Sequence, residues 1–293
     1  MGGSLTAGAH SFTASSGATL TYYVTGNGPR LLVNVAPGWG AGSVVYQNSF
    51  GCLEQSFTIV HLEVRGTRGS SFPGDPSAMS SWHMAEDVES LRVHLGLDVL
   101  DGVLGHSNGG CIATWFAARF PARLKKLILV DSQLLGIEFI STPATLAVIA
   151  ARKDRDVVEA WQQWRANAST IDTDEKFGGA LSAYLALYVA QPEKHLASVR
   201  AAFTNLPQIQ CRKAQAAAEP GHSNQLPELT KITVPALVIV GRDDFVCPVP
   251  VSEMLAAGLS DSRLHILDEC GHFPWIEKEE EFIRLLNDFY TQE

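Results

Sequence analysis

No apolar run in this 293-residue chain approaches the roughly 20 residues needed to cross a bilayer. Its first residues show neither the basic segment nor the apolar stretch of a secretory signal. The expectation is a cytoplasmic protein without membrane insertion. Positive charge is also short: 22 lysines and arginines against 31 acids give a formal net charge of −9. The basic residues form no stripe, which argues against nucleic acid as a partner. The five cysteines, Cys52, Cys111, Cys211, Cys247 and Cys270, are scattered with neither C-x-x-C nor mixed Cys/His ligand spacing. Free thiols are therefore expected, with no metal and no other cofactor; a Cys247–Cys270 bridge is the one pairing weighed. Met1-Gly2-Gly3-Ser4-Leu5-Thr6 fits a myristoylation pattern, but no polybasic patch supplies the second signal that stable anchoring needs. The sequence has no internal repeat and no low-complexity tract beyond the alanine-rich Ala214–Ala218. A small-molecule substrate is the expected partner, and a homodimer is left open.

What is present is apolar residues in two alternating patterns, at 46% of the chain, enough for a large core plus one insertion. Ser11–Ala14 and Thr19–Val24 alternate apolar and polar residues around Ser16-Gly17, which predicts a hairpin. Leu31–Val35, Phe57–Leu62, Val99–Leu104, Leu127–Val130 and Leu237–Val240 are short apolar runs, as in strands buried on both faces. Helical spacing intervenes at Met84–Leu95, Ala113–Ala122 and Pro248–Leu259, and returns from Glu277 to Tyr290, where Phe282, Leu285, Leu286 and Phe289 share a face. Strand and helix in turn predict an α/β fold, a mostly parallel, doubly wound sheet. From about Leu134 to Thr230 the strand signal disappears, and apolar helical stretches are separated by Thr142-Pro143, Gln191-Pro192 and Glu219-Pro220-Gly221. We read residues 1–133 and 229–293 as the core and 134–228 as an inserted helical cap.

The strongest chemical signal is Gly105-His106-Ser107-Asn108-Gly109-Gly110, between the run ending at Leu104 and the helical stretch from Cys111. Strand, sharp turn and helix make a nucleophile elbow, in which small residues let strand and helix close around a serine raised on a strained turn. The following helix aims its N-terminus at that spot and favours developing negative charge. Ser107 is the candidate nucleophile and the Asn108 N–H a candidate oxyanion donor. An ordinary strand-to-helix turn is the plain alternative, since G-x-S-x-G also arises by chance. A serine needs a base, and the base needs a carboxylate to fix its tautomer. Ile239–Asp244 is a strand ending in acids, and Leu264–Leu267 leads to Glu269-Cys270-Gly271-His272. The order Ser107, Asp244, His272 is the one this architecture requires. His106 lies inside the elbow and is read as packing or loop hydrogen bonding.

The chain resembles the α/β-hydrolase superfamily and, within it, a proline-iminopeptidase-like branch, over nearly its whole length. The resemblance is carried by Gly105–Gly110, by Gly241-Arg242-Asp243-Asp244, by Gly271-His272-Phe273-Pro274-Trp275-Ile276-Glu277, and by Arg65-Gly66-Thr67-Arg68-Gly69-Ser70-Ser71. It implies an α/β-hydrolase fold with a cap and a Ser107–His272–Asp244 triad. Asp244, at the last position of G-x-x-D, is preferred over its neighbour Asp243 and over Asp131, which ends another strand. Ala36-Pro37-Gly38-Trp39-Gly40 stands where the family carries H-G-x-G, so the resemblance makes the Trp39 N–H the second oxyanion donor; Pro37 replaces the histidine.

Gly38, Trp161, Trp164, Tyr184, Tyr188 and Phe273 are the candidate pocket residues, with Phe139 and Phe203 as further aromatics, although aromatics at helical spacing also serve packing. The elbow lacks the tryptophan of true proline iminopeptidases. The reading is therefore a serine hydrolase acting on an ester, lactone or related acyl bond of a small, largely apolar substrate. A lyase, a carbon–carbon bond hydrolase or a non-hydrolytic natural-product enzyme on the same triad, a proline-iminopeptidase-like aminopeptidase, and a catalytically weak ligand-binding protein on the same fold are the alternatives.

Overall fold

The computed structural model describes residues 3–291; Met1 and Gly2 of the myristoylation pattern lie outside the described residues. Among the described residues eight strands follow one another: β1 (Gly8–Thr13), β2 (Thr19–Thr25), β3 (Arg30–Val35), β4 (Phe57–Leu62), β5 (Gly102–His106), β6 (Leu127–Val130), β7 (Ala236–Gly241) and β8 (Ser262–Leu267). They form one sheet in the order β1-β2-β4-β3-β5-β6-β7-β8. The β1–β2 hairpin, in register from Gly8↔Val24 to Thr13↔Thr19, and the β2–β4 pair are antiparallel. The pairs from β4 across to β8 are parallel.

Helices α1 (Val44–Gln47), α2 (Ser81–His94) and α3 (Asn108–Arg119) precede β6. Between β6 and β7 come α4 (Glu138–Ala151), α5 (Arg155–Asn167), α6 (Asp174–Tyr184), α7 (Pro192–Ala202) and α8 (Ile209–Ala218). Then α9 (Val249–Gly258) lies between β7 and β8, and α10 (Pro274–Glu277) and α11 (Glu279–Thr291) follow β8. Successive residues of a strand face opposite sides, and the core divides accordingly. Val33, Val103, Leu127, Leu129 and Val238 pack with side chains of α2, α3 and α9. Leu32, Leu104, Ile128, Leu237 and Ile239 pack with Phe282, Leu285, Leu286 and Phe289 of α11. That is why the central strands read as unbroken apolar runs.

Two local expectations need correction. The tail is not one helix from Glu277, because Lys278 leaves helical geometry at φ −138° and separates α10 from α11. Pro143 does not separate elements but lies inside α4. Its missing N–H leaves the Phe139 carbonyl without an intrahelical donor, next to a Phe139 ring that is 71% exposed, where water is available. The five cysteines are free, so Cys247 and Cys270 are not bridged.

Candidate active site

Ser107 is the single residue between β5 and α3, with φ 55° and ψ −126°. A non-glycine residue at positive φ is strained and must be held by its surroundings. Here the Ser107 N–H donates to the Val130 carbonyl at 3.1 Å, and the Ser107 carbonyl accepts from Gly110 and Gln133 N–H groups at 3.0 Å each. The glycines have a steric reason: a Cβ on Gly105 would run into the Gly109 carbonyl, and one on Gly109 into that of Val35. The elbow can close only with no side chain there.

The loops after β7 and β8 cross as tightly, since a Cβ on Gly241 would meet the Gly271 carbonyl oxygen. This crossing brings Asp244 to His272. Asp244, fully buried, accepts the Val246 N–H on Oδ1 at 2.8 Å and the Cys247 N–H on Oδ2 at 3.2 Å. Its Oδ2 lies 2.8 Å from His272 Nδ1. The backbone of His272 is tied too: its N–H donates to the Tyr188 carbonyl at 2.7 Å, and its carbonyl accepts from His106 Nε2 at 2.8 Å. Glu277 braces the same turn by accepting N–H groups of Ala190, Gly271 and Phe273 at 2.8, 3.0 and 3.2 Å.

His106 therefore acts as a strut, within the loop hydrogen-bonding role its position suggested. Nε2 donates to a carbonyl and Nδ1 accepts the Tyr46 hydroxyl at 2.8 Å. Burial and the neighbouring His272 hold its basicity well below the ordinary range, so the ring is neutral. Ring nitrogens of His106 and His272 and an Asp131 carboxyl oxygen lie within 4.8 Å of one another. The trio is nevertheless a poor metal site, because both nitrogens of His106 are already engaged.

Asp243, the rejected neighbour, is half-buried and donates its N–H to the Cys270 carbonyl. Asp131 is more involved. It is fully buried at φ 42° and accepts the Gly241 N–H on Oδ1 at 2.8 Å. Burial, then the Asp244 charge, push its carboxyl well above the usual carboxylate range. Its Oδ2 meets no donor; protonated, the carboxyl becomes a donor to Asp244. For an acid whose folded pKa is raised, stability is complete below the unfolded pKa of about 4 and is lost as pH rises through the folded value. Asp131→Asn preserves both hydrogen bonds without the ionisation. Its melting temperature relative to wild type is therefore expected to increase as pH is raised from weakly acidic to weakly alkaline, measured by thermal denaturation across that range.

Ser107 and His272 both open on a cavity of about 390 Å³. Among the described residues no hydrogen bond joins their side chains; the Ser107 hydroxyl lies instead beside the Cys247 thiol. Hydrogen bonds of this kind commonly tighten only when substrate is bound. Burial, then the Asp244 charge, push the thiol of Cys247 well up, so it is not the nucleophile.

Of the expected pocket residues, Gly38, Trp164, Tyr184, Tyr188, Phe273 and Phe203 line this cavity. Trp161 does not: it packs with Ile149, Val158, Leu187 and Phe245 in a separate cluster. Phe139 is exposed rather than part of the wall. Trp39 stands at φ 60°, but its backbone N–H is engaged, donating to Gln215 Oε1 at 2.5 Å. As the expected second oxyanion donor, the Trp39 N–H would have to exchange Gln215 for a substrate oxygen. The Asn108 N–H, first in α3, has no intrahelical acceptor.

Gln215, fully buried on α8, also donates to Asn108 Oδ1 at 2.8 Å and so joins the insertion to the elbow. No local pattern marks it in the sequence. Gln215→Leu leaves the Trp39 N–H without its acceptor and is expected to lower stability by about 1–3 kcal/mol, read from chemical denaturation.

A family model described as the alpha/beta hydrolase fold matches residues 32–279. The chain belongs to this family and is a hydrolase of the α/β-hydrolase class. It is 29% identical over 222 residues to a 2-hydroxy-6-oxo-2,4-heptadienoate hydrolase of Pseudomonas putida, covering 73% of this chain and 71% of that one. Identity is 27% over 286 residues to a 2-hydroxy-6-oxononadienedioate/2-hydroxy-6-oxononatrienedioate hydrolase of Paraburkholderia xenovorans, covering 96% and 89%. Among solved structures, an alpha/beta fold family hydrolase from Bacillus anthracis superposes with a TM-score of 0.76 at 20% identity, over 96% of this chain and 98% of that one. These relatives support the superfamily and do not carry the narrower proline-iminopeptidase-like resemblance. No helix among the described residues is long and apolar enough to cross a membrane.

Proposed function

We propose that this chain is a serine hydrolase that cleaves an ester, lactone or related bond at a carbonyl carbon of a small, largely apolar substrate. One observation carries the reading: a serine on a strained elbow and a buried, carboxylate-bonded histidine open on the same mainly apolar cavity. His272 takes the proton of Ser107 as the hydroxyl attacks the carbonyl, and Asp244 holds the tautomer and stabilises the imidazolium. His272 then returns the proton to the leaving group, and water repeats the cycle on the acyl-enzyme. The Asn108 N–H receives the oxyanion. The Trp39 N–H joins it only by exchanging Gln215 for the substrate oxygen. Residues 134–228, through α4–α8, form the cap that carries one wall of the cavity.

A second reading has its own support. The two relatives are named for oxo-dienoate substrates. An open-chain oxo acid contains no ester, so its hydrolysis breaks a carbon–carbon bond beside the ketone, a step the same triad can serve.

The test is labelling of Ser107 by a fluorophosphonate together with hydrolysis of short para-nitrophenyl esters. The carbon–carbon reading is followed by the loss of dienoate absorbance. An intact, folded protein that neither takes the label nor turns over either substrate class would overturn the hydrolase reading.

A further inference from the structure

Arg212, on α8, lines the cavity that holds Ser107 and His272. Its guanidinium lies 5.2 Å from the Trp164 ring centroid and 5.6 Å from that of Phe177. Rings attract a guanidinium through its faces and leave its N–H donors at the edge available. Among the described residues Arg212 has no ion-pair partner and no side-chain hydrogen bond. The other charged lining residue, Glu138, is solvent-exposed and accepts the Gly136 N–H at the start of its own helix, 3.4 Å away. Half-buried in a mostly apolar wall, Arg212 thus presents an unpaired positive charge to the cavity, where an anionic ligand group can meet it.

The rings connect this cation to the site of chemistry. Tyr188 lies 5.4 Å from the His272 ring and 6.1 Å from Tyr184, Tyr184 lies 5.3 Å from Trp164, and Trp164 is one of the two rings beneath Arg212. A ligand body lying on this row touches apolar faces from His272 to Arg212.

We infer that Arg212 is a specificity-determining residue and that the substrate carries a carboxylate, held by the guanidinium, at the end of an apolar body whose reactive carbonyl lies at Ser107. The inference rests on the serine-hydrolase reading of this cavity. It refines the largely apolar substrate expected from the sequence by adding one anionic group. The carboxylate can belong to the acyl part or to the leaving group, and paired substrates separate the two. One pair is the mono-para-nitrophenyl ester of suberic acid and its methyl-capped neutral counterpart. The other is the butyrate ester of a nitrophenol bearing a ring carboxylate and the same ester without it.

A charge-assisted, paired hydrogen bond at this position is expected to favour the charged member of one pair by about tenfold or more in kcat/KM. Arg212→Gln should bring that ratio to within about twofold of unity, because a neutral amide lacks the charge. The pair that shows the preference identifies the side of the scissile bond on which the carboxylate sits. Two results overturn the inference: wild type without preference in either pair, or Arg212→Gln lowering charged and neutral esters equally, as loss of packing against Trp164 and Phe177 would. Fluorophosphonate labelling of both proteins keeps the two readings apart. Unlabelled Ser107 in folded protein defeats the hydrolase reading itself, whereas labelled Ser107 without charge preference defeats only the role of Arg212.

Discussion

Ser107→Ala is expected to remove fluorophosphonate labelling completely and to lower kcat for short esters by about 10⁴- to 10⁶-fold, the scale on which loss of a triad nucleophile acts. The effect should be this large because no other group can take over. The Cys247 thiol beside the serine is fully buried and held protonated, its ionisation opposed by burial and by Asp244. Fold stability should change little. The strained φ of 55° is imposed by hydrogen bonds of the Ser107 backbone to Val130, Gly110 and Gln133, and none of them uses the hydroxyl. Stopped assays and labelling on protein shown to be folded by circular dichroism check this. Residual turnover within about tenfold of wild type would mean that the chemistry does not pass through an acyl-serine.

Much of the site was readable because the sequence features that build it are local. Glycines at 105 and 109 are needed where strand and helix backbones touch, so the elbow shows as a short motif. Gly241 and Gly271 stand next to the acid and the base for the same reason, because the two loops cross at those residues. The central strands showed themselves as apolar runs because both faces of the sheet are covered.

Contacts between distant positions were not readable. Gln215 reaches Trp39 across 176 residues of sequence, and a lone glutamine on a helix carries no mark of its partner. Aromatic content pointed to the insertion but could not sort its faces: Trp164 lines the cavity, whereas Trp161, one helical turn earlier, packs against Phe245. Arg212 carries no mark in the sequence either, because a single arginine looks like a solvated one until its neighbours are known to be rings.

The choice between two acids has the other large consequence. Asp244→Asn is expected to lower kcat by about 10⁴-fold, because an amide can donate to Nδ1 and so favour the tautomer whose Nε2 already bears a proton and cannot accept one from serine. Asp131→Asn is expected to cost less than about tenfold in kcat, although Asp131 is as buried as Asp244 and ends the adjacent strand. The difference lies in charge. Asp244 bonds directly to His272 Nδ1 and takes two N–H groups from its own loop, whereas burial and the Asp244 charge favour a proton on Asp131. A neutral carboxyl cannot stabilise an imidazolium as a carboxylate does, and asparagine reproduces its hydrogen bonds to Gly241 and Asp244. The double replacement should fall to the level of Asp244→Asn alone if Asp131 only supports its neighbour. A further loss of about tenfold would show that Asp131, with an oxygen within 4.8 Å of a His272 ring nitrogen, ionises and takes over once Asp244 has lost its charge. The reverse ranking of the single variants would move the triad acid to Asp131.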